Sequence, residues 1–389
     1  MIDKEKGIDI EKGIEITEMD RLLPYAHWLY NIKGLGSKTI KRLLSADKTR
    51  EVTAKTLYHL APEALEEYLP ASARGRELAR RIAQSAKNWD LYGNFEKLRE
   101  RQIYFACLGH PAYPPKLSRI ADAPYGIYYK GRLPEDKKPS VAIIGARSCS
   151  DYGRQMAGQF GKELAKAGVQ VISGMARGID GIGQKAALGA GGYSLGVMGC
   201  GVDICYPLEN RDLYDLLCSH GGVCSEYLPG TEPCANLFPP RNRIISALAD
   251  MVLVVEAKSR SGTLITVDMA LEQGKEVYAV PGRVTEALSE GCNRLLQQGA
   301  GVAISPGEVI RSLTGKMPEG EAPFYLLSEI ESDILQNLDD TPQLPEKIKE
   351  RMLLNCARDI QMSELVSHLM KLRLNGFIRV IGNSYFMKA

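Results

Sequence analysis

Six cations stand where an apolar run stops or a helix begins: Arg147, Arg177, Arg241, Arg243, Lys258 and Arg260. Two of them frame the stretch LFPPRNRIISAL, in which two prolines precede Arg241, Asn242 and Arg243 and an apolar run follows. Proline suits a first helical turn, so a helix is expected to start at Pro240. The macrodipole makes that end positive, and acidic side chains are its usual occupants. Two arginines there ask for an anion instead.

The turns beside these cations are of a kind that holds phosphate. VAIIG runs into Gly145-Ala146-Arg147, a strand-to-Gly turn that feeds a helix opening at Tyr152-Gly153 and leaves backbone N–H groups free. VQVISG runs into Ser173 and Gly174, whose backbone can come close to a ligand, and then into Arg177. MVLVVE leads past Lys258 and Arg260 to Ser261-Gly262-Thr263, a helix start with hydroxyls and N–H groups on one side. Neither a complete G-x-G-x-x-G nor a G-x-x-x-x-G-K-[ST] is present.

Each residue also has an ordinary role. Arg147 can sit in a surface ion pair and Arg177 can pair with Asp180. Asp180 can cap its helix, Phe238 can staple the next one, and Glu256 can orient Arg241 or Arg243. A rim of cations beside Gly-rich turns nevertheless implies a polyanion with several phosphates, and Phe238 beside them can stack a base. The rival reading is a small-nucleotide sensor or nucleoside-monophosphate-processing enzyme, in which Glu226 or Glu256 does acid–base work.

One architecture would gather these positions. VAIIG, VQVISG, SLGVMG, GVCSE, MVLVVE, EVYAVPG and VAIS read as strands, and helical patterns fall between most of them. Val- and Ile-rich runs without polar alternation mark strands covered on both faces, hence a doubly wound, mainly parallel α/β sheet. Ligands of such sheets bind beyond the carboxyl ends of the strands.

The chain has 389 residues, 44% hydrophobic and 25% charged, which is ordinary globular composition for two or three domains. Its net charge of +2 makes any nucleic-acid site a local patch. Nine cysteines without a C-x-x-C pair read as free thiols in a reducing, cytoplasmic setting. Five scattered histidines give no metal motif, no cofactor is expected, and no run suits a signal peptide or membrane span.

The expected layout is a frayed N-terminus (1–19), a helical domain (20–100), a sheet domain (101–305), a linker (306–322) and a C-terminal domain (323–389). In the helical domain, IKGLGSKTIKRLL matches a helix-hairpin-helix, whose N–H groups face a DNA phosphate; a plain Gly turn between packed helices is the ordinary reading and fits it slightly better. In the last domain a helix runs to Gly376 and a hairpin turns at Gly382-Asn383, as in a winged helix. Its last helix carries only Lys371 and Arg373 as basic residues, thin for reading a groove.

With these motifs assembled, the chain resembles the DNA-processing protein A (DprA/Smf) family. The resemblance runs through IGARSCSDYG, ISGMARGIDG, GCGVDICYPLEN, LFPPRNRIISAL, VVEAKSRSGTLIT and GCNRLLQQGA and covers most of residues 100–305. It implies a Rossmann-like domain flanked by a helix-hairpin-helix/SAM-like unit and a winged helix. It further implies a homodimer that binds single-stranded DNA and loads the RecA recombinase during natural transformation, without catalysis. Carried onto matching positions, Arg147, Ser173, Gly174, Phe238, Arg241, Asn242, Arg243, Lys258, Ser261, Gly262 and Thr263 become pocket candidates, beside Gly145, Arg177 and Arg260 from the spacing. The chain departs from the family pattern at Ala146, at Gly183-Gln184 and at Cys234-Ala235-Asn236.

Overall fold

The computed structural model describes residues 17–45, 52–315, 328–339, 341–356, 358–374, 377–382 and 385–388, with the backbone of 2–3, 8–9 and 14–15. The chain divides into two compact units, Met1–Pro318 and Glu319–Ala389.

Nine strands of the first unit share one sheet. In chain order they are β1 (Tyr104–Cys107), β2 (Gly126–Gly131), β3 (Ser140–Ile144), β4 (Gln170–Ser173), β5 (Ser194–Val197), β6 (Gly222–Ser225), β7 (Met251–Val254), β8 (Glu276–Ala279) and β9 (Gly301–Val302). Across the sheet the order is β9–β8–β7–β3–β4–β5–β6–β2–β1. The strands from β9 to β6 are parallel; β2 joins β6 antiparallel, and β1 joins β2 antiparallel. This is the doubly wound, mainly parallel sheet that the apolar runs predict.

Every residue of β3 to β7 is buried, because helices cover both faces. Side chains alternate across a strand, and the two cores follow that alternation. Val141 and Ile143 pack with Phe160 and Leu164 of the Asp151–Lys166 helix, whereas Ala142 and Ile144 pack with Ile244, Ile245 and Val267 of the helices on the other face. From β3 the chain adds β4, β5 and β6 on one flank, then crosses to add β7, β8 and β9 on the other. The order therefore reverses between β3 and β7, where a cleft opens beyond the carboxyl ends.

The helical segment shares a core with the sheet's antiparallel edge. Trp28 and Leu29 of the Glu18–Asn31 helix, Ile40 and Leu43 of Ser37–Leu44 and Ile82 of Ala73–Asn88 belong to one cluster with Phe105, Tyr125 and Tyr128. The glycine turn of the hairpin motif is there, with Gly34 at φ +83°, and Ser37 accepts a hydrogen bond from the Tyr125 N–H at 3.0 Å.

In the second unit, helices Glu329–Asn337, Pro345–Cys356 and Met362–Leu374 precede an antiparallel hairpin of Ile378–Ile381 and Tyr385–Lys388. Ile334, Ile348, Leu365, Leu369 and Phe386 form its own core.

Two stretches differ from expectation. Within the N-terminus expected to fray, Ile2–Asp3, Ile8–Asp9 and Ile14–Glu15 pair as short antiparallel strands. The expected linker opens with a helix, Pro306–Thr314, capped by Ser305 and anchored by buried Val309 and Ile310. The expected helix stop at Gly376, Asn383 of the hairpin turn and residues 316–322 of the linker lie outside the described residues. Among the described residues no helix is long and apolar enough to cross a membrane, and no group of three or more His, Cys, Asp or Glu is placed to hold a metal ion.

Candidate nucleic-acid interface

The turns after β3 and β7 are fastened to each other. The Ala146 N–H donates to the Glu256 carbonyl at 2.8 Å. Ser150 caps the Asp151–Lys166 helix; its N–H donates to one Glu256 carboxylate oxygen at 2.9 Å and its hydroxyl donates to the other. A Cβ on Gly153 would come within 2.2 Å of that carboxylate. Glu256 is therefore a buried clamp on the β3 turn, and it does not orient Arg241 or Arg243 as the sequence suggests. Opposite it, Gly178 has φ +73°, and a Cβ there would meet the Ala146 carbonyl oxygen at 2.3 Å. Only glycine suits that approach.

Beyond the two turns lies a cavity of about 540 Å³. Gly145 and Arg147 line one side, Lys258 and the Ser261-Gly262-Thr263 helix start another, and Phe238, Arg241 and Asn242 a third. The Gly262–Glu272 helix turns its amino end to this space, so its first N–H groups and positive dipole end face whatever binds. Ser261 stands at the cap position without capping, and its hydroxyl is buried with no hydrogen-bond partner.

The helix carrying Arg241 starts at Phe238, two residues before the expected Pro240, so Arg241 lies inside its first turn. Arg241 is only 4% exposed. Its guanidinium donates to the Gly174 carbonyl at 3.0 Å and to the Val197 carbonyl, while Nε has no partner. A Cβ on Gly174 would meet that guanidinium and the Asp180 carboxylate at 2.9 Å each. Burial pulls the Arg241 pKa down and pushes Asp180 up; each charge opposes the shift of the other. Asp180 thus serves as the buried counter-charge of Arg241 and accepts from the Gly174 N–H at 3.1 Å. Its helix is capped by Gly178 instead.

Phe238 links the buried and exposed cations. The guanidiniums of Arg241 and Arg147 lie 5.7 and 5.9 Å from its ring centroid, within cation–π range. Gly199 makes room for the ring, since a Cβ there would sit 2.5 Å from it.

Five candidates are not brought to the cavity. Arg243 follows Arg241 by two residues, about 200° around the helix, and points the other way. It forms a two-pronged bridge to Glu226 at 2.7 Å per contact and a third contact to Asp122 at 2.8 Å. Its side chain is 12% exposed, and it sits in a structural ion pair away from the cavity lining. Arg177 pairs with Glu209 at 3.4 Å, not with Asp180. Ser173 donates to the Ile143 carbonyl at 2.6 Å and ties β4 to β3. Gly174 lies behind Arg241, and Arg260 is exposed next to the lining.

Sequence reasoning missed Tyr206, whose ring lies 5.4 Å from Phe238, and the roles of Gly199 and Asp180. The run GCGVDICYPLEN held the first two but offered no spacing that places them against Phe238.

Comparison with known proteins gives a consistent picture. The model of the family described as DNA recombination-mediator protein A matches residues 104–314. The chain is 43% identical over 198 residues to DNA processing protein DprA of Streptococcus pneumoniae, covering 51% of this chain and 70% of that protein. It is 36% identical over 283 residues to Protein Smf of Escherichia coli, covering 70% and 74%. The X-ray structure of DprA from Streptococcus pneumoniae superposes with a TM-score of 0.64 at 32% identity, covering 75% of this chain and 98% of that one. DNA processing protein A from Helicobacter pylori, in a structure concerned with its single-stranded DNA binding mode, gives 0.50 at 29% identity, covering 55% and 97%.

Proposed function

We propose, since the chain belongs to the DNA recombination-mediator protein A family, that its β3/β7 cleft binds single-stranded DNA and that the protein acts in recombination without a reaction of its own. One observation carries this reading: Phe238 lines the cavity with the guanidiniums of Arg147 and Arg241 both within cation–π range of its ring. An aromatic face accepts any base, and neighbouring cations take the phosphates. The Gly262 helix start adds backbone donors. The unpartnered Arg241 Nε and Ser261 hydroxyl are polar groups a bound nucleotide would satisfy. The single-stranded DNA binding mode of the Helicobacter pylori relative supports the same ligand.

Binding rather than catalysis is supported by the carboxylates. Glu226 is held by Arg243 and Glu256 by Ser150, so neither stands ready as an acid or base. Family membership supports the wider reading: a cytoplasmic homodimer that passes the strand to the RecA recombinase during natural transformation.

The test is fluorescence anisotropy with oligothymidine and a matched duplex over a salt series. The expected result is preference for the single strand, with affinity falling steeply as salt rises. Phe238→Leu should weaken binding by about tenfold without changing the salt slope. Equal affinity for duplex and single strand, or thermal stabilisation by nucleoside monophosphates with no oligonucleotide binding, would overturn the proposal.

A further inference from the structure

We propose that Tyr206 is a second base-stacking platform, so that the cleft takes at least two successive nucleotides, running from Phe238 over Tyr206 toward Arg177. This assignment rests on the single-strand reading of the cleft. Tyr206 follows β5 and is 41% exposed, with Leu208 beside it 73% exposed. A large ring is thus left in water against Phe238, which lines the cationic cavity. The Tyr206 ring lies 5.4 Å from Phe238, tilted by 34° from its plane, within the range of an aromatic contact. A ring so placed continues the Phe238 surface outward.

The segment is held rather than loose. The Asn210 side-chain amide donates to the Met175 and Ala176 carbonyls at 3.0 and 3.1 Å, pinning the residues after Tyr206 to the turn that carries Arg177. Tyr214 donates to the Val202 carbonyl and steadies the residues before it. Aromatic platforms bind a strand well when their geometry is fixed beforehand, because less ordering is needed on binding.

The turn to which this segment is pinned carries a cation. Arg177 and Glu209 form an ion pair at 3.4 Å with side chains 60% and 63% exposed. Pairs this exposed are weak, so the guanidinium can exchange its carboxylate for a phosphate. A strand laid over Lys258 and Gly262, Phe238 with Arg147, Tyr206 and then Arg177 would meet phosphate and base partners in alternation, as a single strand requires.

The experiment compares the wild-type protein with Tyr206→Ala, Tyr206→Phe and Phe238→Leu on oligothymidines of increasing length. It adds photo-cross-linking of an iodouracil-substituted oligonucleotide, mapped by peptide mass. Tyr206→Ala should weaken the longer strands by about tenfold. It should leave the shortest ones near wild type, whereas Phe238→Leu weakens all. Tyr206→Phe should keep wild-type affinity, and a cross-link should map to Tyr206. If wild type binds and Tyr206→Ala matches it at every length with no cross-link there, the assignment falls while the single-strand reading stands. If wild type binds no oligothymidine at all, the single-strand reading falls and this assignment with it.

Discussion

Arg147 and Arg243 look alike in the sequence, each a cation at a strand end or helix start, yet the structure gives them opposite work. Arg243 and Glu226 are 12% and 13% exposed and share two contacts of 2.7 Å. Replacing Arg243 by alanine leaves Glu226 buried and uncompensated, with Asp122 as a second carboxylate alongside. Breaking a buried pair in this way costs about 3 kcal/mol or more. For a unit of this size that lowers Tm by roughly 5 °C. Arg147 is exposed, with Phe238 as its contact, so Arg147→Gln should leave Tm within a degree or so. On binding the roles reverse. Arg147→Gln should lower the slope of log affinity against log salt by about 0.7, one phosphate contact on a single strand. Arg243→Ala, at a temperature where it is still folded, should keep the wild-type slope. Urea unfolding and salt-series anisotropy on the same preparations measure both quantities. A reduced salt slope with unchanged stability for Arg243→Ala would refute the reasoning. The double change Arg243→Met with Glu226→Gln separates charge from packing, and it should recover most of the lost stability.

Two further outcomes follow from buried groups away from the cavity. His27 is 4% exposed among Trp89, Phe95, Phe105 and Tyr128, its Nδ1 has no partner, and burial drives its pKa down to about 4. The unfolded chain takes up this proton near pH 6.5, so stability is full above that value and is lost as pH falls toward 4; about 2 kcal/mol should be gone by pH 5. Urea midpoints at pH 7.5 and 5 measure it, and a His27→Gln variant with an equally steep pH dependence would show that another group is responsible. Gly178→Ala forces a Cβ against the Ala146 carbonyl at positive φ and should cost roughly 2 kcal/mol while displacing the Arg147 turn. Unfolding and oligothymidine binding should both deteriorate; a variant normal in both would mean that the turn does not need this approach.

The apolar runs made the sheet legible because strands buried on both faces leave no other pattern. Each strand nevertheless stops short of its run: Val255 and Glu256 are as apolar-flanked as Val254, but they belong to the turn that clamps β3. The Gly and hydroxyl residues of the Ser261-Gly262-Thr263 start were readable, since a helix opening after a strand has one place to point. The fates of Arg241 and Arg243 were not. They depend on which carboxylates lie opposite, and Asp180, Glu226 and Asp122 come from three distant stretches. Tyr206 was hidden for the same reason, because its neighbour Phe238 arrives from beyond β6. The Pro306–Thr314 helix, by contrast, carried a visible signal in Ser305, Pro306 and Glu308.

A chain with a net charge of only +2 can still present a positive cleft, because the acidic groups nearest the switch point already have partners. Asp180 lines the cavity but is neutralised by Arg241, while Glu226 holds Arg243 and Glu256 holds Ser150 outside the lining. Arg147, Lys258 and Arg260 are left exposed, and none of the three has an ion-pair partner among the described residues. At physiological salt a charge is felt over about 8 Å, so these near cations count while the balanced remainder of the surface does not. The buried pairs are weakly screened and fix the walls; the exposed cations are strongly screened and are the ones the proposed ligand would meet. Salt should therefore loosen the strand without loosening the site, and a protein that lost structure and affinity at the same salt concentration would contradict that division.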